Sequence, residues 1–352
     1  MRSPFFYNLI VFLLLTSKLR SMENKQNIAV IGGGSWATAI VKMLTENVDQ
    51  IGWYMRNTQS IEHIKENNHN PKYLSSADVD AKFLDLSDDI NYIVKNYSIL
   101  IFAVPSAFLT SELNKLTASL DGKTIFSAIK GIVPETGLII GEHFNEEFNI
   151  PLENIGVITG PCHAEEVAME RLSYLTIACI DEDKAKFMAK AIESWYIKVK
   201  ISDDIIGTEY AAMLKNIYAV AAGIAHGLGY GDNFQSVLMS NAIREMKRFI
   251  KKVHKMKRNI NNSAYLGDLL VTGYSVFSRN RMFGNMIGKG YTVISAQHEM
   301  SMIAEGYYAT KSAYKIKQEN KAKTPIIDTV YSILYENKNP KKEFKKLTDK
   351  LD

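Results

Sequence analysis

The sequence predicts a doubly wound parallel α/β sheet followed by an all-helical C-terminal domain. Short continuous apolar runs, such as residues 99–104, alternate with helical segments up to about residue 202, which is typical of buried strands in a parallel sheet. A glycine-rich turn follows the first of these runs. From Asp204 onward the pattern is helical almost without interruption. We therefore expect a sheet domain over residues 22–202 and a helical domain over residues 203–352.

Composition is that of an ordinary globular protein long enough for two cores. Hydrophobic residues make up 46% of the 352 residues and charged residues 23%. Three units of the +4 net charge come from residues 1–21, which contain no acid, so nucleic-acid binding is not indicated. The two cysteines, Cys162 and Cys179, are too few for a disulfide framework or a cysteine zinc site. A reducing, cytoplasmic setting agrees with this.

Residues 1–21 are interpreted as an N-terminal extension. The apolar run 5–15 after Arg2 resembles the core of a signal peptide, but it is shorter than the roughly 20 residues of a membrane span. Residues 16–21 offer no convincing cleavage site, and Met22 opens a segment that continues directly into the first strand. We prefer an upstream mis-assigned start, with a targeting or anchor segment as the alternative. No membrane partner is expected.

The first strand, residues 27–31, continues into Gly32-Gly-Gly-Ser-Trp-Ala37 and then a helix through Leu44. In the pattern G-x-G-x-x-A, Gly32 allows the tight turn and Gly34 lets the backbone approach a pyrophosphate. Ala37 keeps the helix close to the sheet, and the free N–H groups at the helix start bind the anion. The pattern at a strand-to-helix junction indicates a Rossmann-type dinucleotide site; an ordinary glycine turn is the alternative.

The second strand, residues 50–54, ends in Met55-Arg56-Asn57. Sites for NAD usually carry an acid there for the ribose 2′-hydroxyl, whereas an arginine suits the 2′-phosphate of NADP. Arg56 has no acid beside it, which favours NADPH. A solvated arginine at a strand end is the alternative.

Further strands are predicted at residues 99–104, 123–129, 155–159, 174–180 and 197–201, with a helix over 183–194. Lys130 follows one of them, at the carboxyl edge where open α/β sheets bind ligands. On position alone, an ordinary loop lysine is equally compatible. His163 is interpreted as a helix-start residue and not a metal ligand, because no partner stands at ligand spacing.

A long helix over residues 209–226 is the centre of the helical half. Between Glu209 and His226 its only charged side chain is Lys215, surrounded at helical spacing by small residues. Burial would lower the lysine pKa from about 10.4 and make it a proton donor near neutral pH. The alternatives are a side chain that reaches solvent or a structural ion pair.

The rest of the helical half supplies fewer candidates. A second helix is predicted over residues 233–257, and its basic run, residues 247–258, is interpreted as a solvated face. Asp268 could orient Lys215 or cap a helix. Arg279 has the fork geometry that suits a phosphate, or could form a surface ion pair, and Asn280 adds a neutral donor. Glu305-Gly306 is predicted to end a further helix, and the tail from residue 338 is expected to be solvated.

Several motifs in order resemble the NAD(P)-dependent glycerol-3-phosphate dehydrogenase family. They are Gly32-Gly-Gly-Ser-Trp-Ala-Thr-Ala39, Val104-Pro-Ser106, Ser127-Ala-Ile-Lys-Gly-Ile132, Gly160-Pro-x-x-Ala-Glu-Glu-Val-Ala168, Leu214-Lys-Asn216, Gly267-Asp-Leu269 and Ser278-Arg-Asn-Arg281. The resemblance implies reduction of dihydroxyacetone phosphate to sn-glycerol 3-phosphate with NADPH or NADH, and a supply of glycerol 3-phosphate for phospholipid synthesis. A homodimer is compatible with the sequence, which leaves the oligomeric state open.

The resemblance also implies roles for individual residues. Lys215 would be the catalytic proton donor and acceptor. The residues implied around the substrate are Lys130, Gly160, Cys162, Lys215, Asp268, Ser278, Arg279 and Asn280. Those implied around the cofactor, besides Gly32 and Gly34, are Ser35, Trp36, Arg56, Lys130, Ala164, Arg279 and Glu305.

The chain departs from the family pattern at three places. Ala37 stands where a third glycine is common, Cys162 where Ser or Thr is common, and Ser240-Asn241 where a Thr-Arg pair is common. Two other functions are weighed against the family one. The first is a related two-domain reductase acting on another phosphorylated or carboxylated substrate, and the second is a dinucleotide-sensing protein without chemistry.

Overall fold

The computed structural model describes residues 27–300 and 304–352; the N-terminal extension predicted at residues 1–21 lies outside them. Eight strands form one sheet in the order β3-β2-β1-β4-β5-β6-β7-β8. The strands are β1 Ile28–Ile31, β2 Ile51–Tyr54, β3 Leu84–Ser87, β4 Ile99–Phe102, β5 Thr124–Ser127, β6 Ile155–Thr159, β7 Ser173–Cys179 and β8 Ile197–Ser202. The order reverses at β1, beside β4, which is the arrangement of a doubly wound sheet.

Seven helices accompany these strands in the described chain. They are α1 Ser35–Thr45, α2 Thr58–Asn67, α3 Ile90–Asn96, α4 Ser106–Leu113, α5 Ile140–Phe148, α6 Ala164–Ala168 and α7 Glu182–Ile192. Side-chain caps begin several of them, because Asn57, Asp89 and Asp181 accept backbone N–H groups at the starts of α2, α3 and α7. The alternating residues of β1 enter two apolar cores, one on each face of the sheet.

The predicted fold class is confirmed, with one difference in strand direction. All neighbouring pairs are parallel except β6 and β7, which are antiparallel. A parallel connection needs a crossover of about a dozen residues or more, usually a helix that runs the length of the sheet. The helix available here, α6, is only 5 residues long. The chain therefore returns along β7 in the opposite direction.

The helical half begins with α8, Ile205–Gly227, which is buried over almost its whole length. The helices that follow are α9 Asp232–Val253, α10 Asp268–Tyr274, α11 Arg279–Gly288, α12 Val293–Glu299, α13 Glu305–Glu319, α14 Pro325–Tyr335 and α15 Pro340–Thr348. A third apolar core surrounds α8. None of the helices described in residues 27–300 and 304–352 combines the length and the apolar character that a bilayer span requires.

Helices α8 and α11 touch through their backbones. A Cβ atom on Gly223 of α8 would lie 2.0 Å from the carbonyl oxygen of Arg281, and one on Gly284 of α11 would lie 2.1 Å from that of Val220. No side chain larger than hydrogen can occupy these positions without moving a helix. The separation of the two helices is therefore fixed by main-chain contact.

One prediction for the helical half was wrong, and two hold for the exposed lysines but not for every residue. Glu305 begins α13 and does not end a helix. The tail from residue 338 contains α15, whose Phe344 and Leu347 are buried. In the basic run after residue 247, Arg258 is not solvated: its side chain is 7% exposed and pairs with Asp204, the N-cap residue of α8.

Candidate active site

A cleft of about 1350 Å³ lies between the carboxyl ends of β1, β4 and β5 and the helices α8, α11 and α13. Gly32 enters it from β1, Ala103 from β4 and Lys130 from the segment after β5, while Lys215 and Arg279 line it from the helical half. This is the edge of an open α/β sheet at which ligands bind.

The glycine turn packs closely against the neighbouring strand connection. Gly32 has a φ of +132°, and a Cβ atom there would lie 2.5 Å from the Ala103 carbonyl oxygen. Gly34 is the N-cap residue of α1 and has no side-chain cap, so the N–H groups of the first turn face the cleft. The Trp36 indole N–H is buried without a hydrogen-bond partner among the described residues. These unpaired donors make the turn suitable for a pyrophosphate.

At the end of β2, Arg56 joins a small charged cluster. Glu112 is buried and accepts a 2.8 Å hydrogen bond from the Tyr54 hydroxyl. The Arg56 side chain is 62% exposed, with its Nε 3.4 Å from a Glu112 oxygen, and it lies over the Phe108 ring. A carboxylate of α4 thus lies beside the end of β2, where it pairs with Arg56, Tyr54 and Lys115. Residue patterns did not reveal the role of Glu112 here, because its contacts with Tyr54 and Arg56 join segments that are distant in sequence.

Lys215 is buried, as predicted, with 5% of its side chain exposed, and forms an ion pair with Asp268. Burial lowers the pKa of Lys215 from 10.5 to about 7. The Asp268 charge opposes this decrease, and the positive charge of Lys130 adds to it. The amine thus exchanges a proton near neutral pH at the edge of the cleft.

Lys130 connects the two halves of the cleft. Its ammonium lies 4.9 Å from the centre of the Trp36 ring, beside the glycine turn. Its carbonyl oxygen accepts a 2.8 Å hydrogen bond from the side chain of Asn216, the residue after Lys215. Lys130 therefore lines the cleft and contacts both halves of it, unlike an ordinary loop lysine that extends into solvent.

The N-terminus of α11 carries the predicted phosphate-binding residues. Ser278 caps this helix by accepting the Arg281 N–H, and Arg279 and Asn280 form its first turn. The Asn280 side-chain oxygen accepts a 2.8 Å hydrogen bond from the Gly306 N–H, at the start of α13. A helix N-terminus beside an arginine suits a phosphate dianion.

Glu305 connects α13 to the sheet half. Its carboxylate accepts hydrogen bonds from the Ser106 N–H at 3.1 Å and the Ser106 hydroxyl at 2.6 Å. Burial raises the pKa of Glu305, while the Ser106 bonds and the Arg279 charge act against that increase. Glu305 therefore holds α13 and its neighbour α11 over the cleft.

Most of the predicted site residues line this one cleft. They are Gly32, Gly34, Ser35, Trp36, Arg56, Lys130, Cys162, Ala164, Lys215, Ser278, Arg279, Asn280 and Glu305. In the described parts of the chain, two predicted residues lie outside the lining: Asp268, which touches Lys215 from behind, and Gly160, which lies against the Tyr174 carbonyl. Burial raises the pKa of Cys162 to about 12, so this side chain stays an uncharged thiol.

His163 lines the cleft beside these residues, although sequence reasoning gave it only the role of a helix-start residue. It is the N-cap residue of α6, as predicted. Burial, together with the positive charges of Lys130 and Lys215, lowers the pKa of His163 to about 4. The imidazole is consequently neutral at physiological pH.

A doubly wound sheet whose glycine turn faces a buried lysine across one cleft defines a two-domain nicotinamide-dependent dehydrogenase. Comparison of the chain with known protein families identifies which dehydrogenase family it belongs to. The family profile described as NAD-dependent glycerol-3-phosphate dehydrogenase N-terminus matches residues 27–185, and that of the C-terminus matches residues 204–345. The chain belongs to this family, which confirms the resemblance drawn from the sequence.

Individual relatives agree with that assignment. The glycerol-3-phosphate dehydrogenase [NAD(P)+] of Exiguobacterium sp. (strain AT1b) is 36% identical over 325 residues, covering 91% of this chain and 94% of the relative. That of Streptococcus sanguinis is 33% identical over 320 residues, with 90% and 94% covered. The crystal structure of glycerol-3-phosphate dehydrogenase from Coxiella burnetii superposes with a TM-score of 0.84 at 25% identity, covering 92% of this chain and 99% of that one.

Proposed function

We propose that this protein interconverts dihydroxyacetone phosphate and sn-glycerol 3-phosphate by hydride transfer with NADPH or NADH. The observation that carries the proposal is Lys215, a buried amine with a pKa of about 7 in the cleft that also contains the glycine turn. A carbonyl reduction needs a proton donor at that pH, close to the carbonyl oxygen and shielded from water.

The sheet half binds the dinucleotide in this proposal. Gly32, Gly34 and the N–H groups of Ser35 and Trp36 hold the pyrophosphate at the start of α1. Arg56 lies near the adenosine ribose, which favours NADPH, and Ala164, Arg279 and Glu305 lie toward the nicotinamide end of the cleft. When bound, the reduced nicotinamide supplies the hydride for C2 of the ketone.

Lys215 donates a proton to the C2 oxygen as negative charge develops there, and it takes the proton back in the oxidation direction. Asp268 accepts one ammonium hydrogen and so directs the others toward the cleft. Lys130 lowers the pKa of Lys215 and lies beside Trp36 at the glycine turn, from where it would contact both the dinucleotide and the ketone. The burial of Lys215 and the charges of Asp268 and Lys130 together place its pKa at about 7, so the amine can gain or lose a proton near neutral pH.

Arg279, Asn280 and the N-terminus of α11 hold the substrate phosphate, with Ser278 fixing the helix start. Cys162 and the backbone after Gly160 contribute packing and N–H groups beside the substrate. Holding the phosphate at one point and the ketone at Lys215 makes the hydride step effectively unimolecular.

We further propose that the enzyme acts in the cytoplasm as a homodimer and supplies glycerol 3-phosphate for phospholipid synthesis. Residues 22–202 form the dinucleotide-binding domain and residues 203–352 the substrate domain. The position of the cleft, between the sheet and the helices after residue 204, supports this division.

The deciding experiment compares oxidants of NADPH and NADH. We expect dihydroxyacetone phosphate to oxidise the reduced dinucleotide rapidly and 2-oxo acids to be inactive. Turnover with a 2-oxo acid alone would favour the other reductase class. Tight dinucleotide binding without turnover on any ketone would favour a sensing protein.

A further inference from the structure

Asn70 lies behind the glycine turn, outside the cleft, in the segment that follows α2. It is 1% exposed. Its side-chain NH₂ donates to the Gly33 carbonyl oxygen at 3.2 Å and to the Thr38 hydroxyl at 2.9 Å. A buried asparagine that bonds the middle residue of the glycine turn restricts the orientation of that peptide.

The other end of the same amide holds a second part of the cleft. The Asn70 side-chain oxygen accepts hydrogen bonds from the Lys72 N–H at 3.1 Å and the Tyr73 N–H at 3.2 Å. Lys72 and Tyr73 both line the cleft. Two donors and two lone pairs are the full capacity of an asparagine side chain. Asn70 therefore connects the glycine turn to a second segment of the cleft lining, residues 72–73.

The network extends into the first turn of α1. The Thr38 hydroxyl, which accepts from Asn70, itself donates to the Gly34 carbonyl oxygen at 3.0 Å. The peptides at Gly33 and Gly34 are consequently both fixed from behind. Their orientation sets the direction of the N–H groups at the start of α1 that face the cleft. Holding such donors in place before the ligand arrives lowers the cost of binding.

We propose that Asn70 is a positioning residue for dinucleotide binding: it holds the glycine turn and the segment 70–73 at the separation that the cofactor requires. This inference rests on the proposed function, since it takes the glycine turn as the dinucleotide site. It assigns Asn70 no contact with the ketone or with Lys215.

The test separates the two ends of the amide. Asn70→Asp keeps an acceptor for the Lys72 and Tyr73 N–H groups but replaces the donor to Gly33 and Thr38 with an oxygen. Asn70→Ala removes both ends. Asn91→Asp is the matched control, because the Asn91 side chain likewise accepts the Thr117 and Ala118 N–H groups and donates to the Lys115 carbonyl, away from the cleft.

Dissociation constants for NADPH and NADH are measured by fluorescence on the full chain, with kcat and both KM values measured alongside. Leaving buried acceptors without a donor weakens binding, so we expect both Asn70 variants to raise the dinucleotide dissociation constant about tenfold. The kcat at saturation and the KM for dihydroxyacetone phosphate stay near wild type. Hydrogen exchange of the peptide covering residues 32–38 rises in the free protein, and Asn91→Asp changes none of these.

Wild-type affinity in Asn70→Asp would overturn the inference while leaving the proposed function intact, because the donor end would then have no role in binding. If Asn70→Ala fails to fold, Asn70→Asp still decides, since it preserves the side-chain volume. Failure of the wild-type protein to bind either dinucleotide would instead overturn the proposed function itself.

Discussion

Two buried ion pairs, one at the N-terminus of α8 and one within that helix, differ in how completely their hydrogen bonds are made. In the first, both oxygens of Asp204 are occupied: Arg258 approaches with two nitrogens, the Tyr265 hydroxyl donates to one oxygen, and the Gly207 N–H donates to the other. Together these donors hold the pKa of Asp204 below its usual value despite burial, which acts to raise it.

In the second pair, Lys215 contacts one oxygen of Asp268, and the other oxygen has no partner among the described residues. The amine also lies on the lining of the cleft, where its remaining hydrogens can reach a ligand. The two ion pairs are similarly buried but have different roles. The saturated pair holds helices together, whereas the incomplete pair keeps hydrogen-bonding capacity for chemistry.

The largest expected effect is on Lys215. Lys215→Ala should lower kcat for ketone reduction by about a thousandfold, because a positioned general acid contributes about 10²–10⁴-fold. Steady-state kinetics and dinucleotide binding measure the change. Lys42→Ala is the control, since Lys42 is also buried and paired, with Glu170 at 2.8 Å, but lies outside the cleft. Near-normal turnover in a folded Lys215→Ala protein would contradict the assigned role.

Breaking the saturated pair should change stability and not chemistry. Arg258→Met leaves a buried carboxylate without its cation, which costs about 3–5 kcal/mol in the free energy of unfolding. Denaturant titration measures the loss, and kcat per folded molecule should stay unchanged. Lys252→Met provides the exposed control on α9. A large fall in kcat in Arg258→Met without a change in stability would contradict the structural role assigned to this pair.

Asp268→Asn tests orientation within the incomplete pair. The amide is similar in size but carries no charge, so the Lys215 ammonium is held less firmly and kcat falls by up to about 100-fold. Since the Asp268 charge raises the pKa of Lys215, its loss should also move the break in the pH–rate profile to lower pH. A profile that keeps its break at the wild-type pH would show that Asp268 does not act on Lys215.

The pH dependence of the wild-type enzyme follows from the same pKa. Ketone reduction needs the ammonium form of Lys215, so kcat/KM should be level below pH 7 and fall about tenfold per unit above it. Glycerol 3-phosphate oxidation needs the neutral amine and should rise with pH to a plateau above about 7. The pH–rate profiles for ketone reduction and for glycerol 3-phosphate oxidation should therefore both change slope near pH 7, the first falling and the second rising with pH.

A third ion pair, Arg56 with Glu112, differs from the two buried pairs because its cation is exposed to solvent. Because the Arg56 side chain is 62% exposed, its contacts are screened, and Arg56→Ala should raise KM for NADPH by only about fivefold. KM for NADH should not increase, since it has no 2′-phosphate. Equal changes for both dinucleotides would remove Arg56 as a reason to favour NADPH.

The buried strands and the glycine turn were predictable because continuous apolar runs and turn residues are local signals. Strand β3 was not, since Leu84–Ser87 is half-exposed at the sheet edge and gives no apolar run. Glu305-Gly306 suggested a helix end because glycine often follows one. Gly306 is in fact required where a Cβ atom would lie 2.6 Å from the Asn216 carbonyl, a tertiary contact that no local pattern reports.

The site was predictable to the extent that its residues fall in motifs. Lys215 stood out as a lone charge in an apolar helix, and its burial is confirmed. The partners that complete the cleft, such as Glu112 and Asn70, act through bonds to distant segments and carry no pattern of their own. The Arg258 pair with Asp204 was hidden for the same reason, inside a run of exposed lysines.

The main-chain contact between α8 and α11 has a consequence for how substrate choice can evolve. Arg279 and Asn280 begin one of these helices and Lys215 lies on the other, so Gly223 and Gly284 set the distance between the proposed phosphate anchor and the proposed proton donor. Side-chain changes within the cleft leave that span as it is. A ketone with one more carbon between its carbonyl and its phosphate would fit best if the two helices were spaced differently, and the residues that set this spacing lie outside the cleft lining.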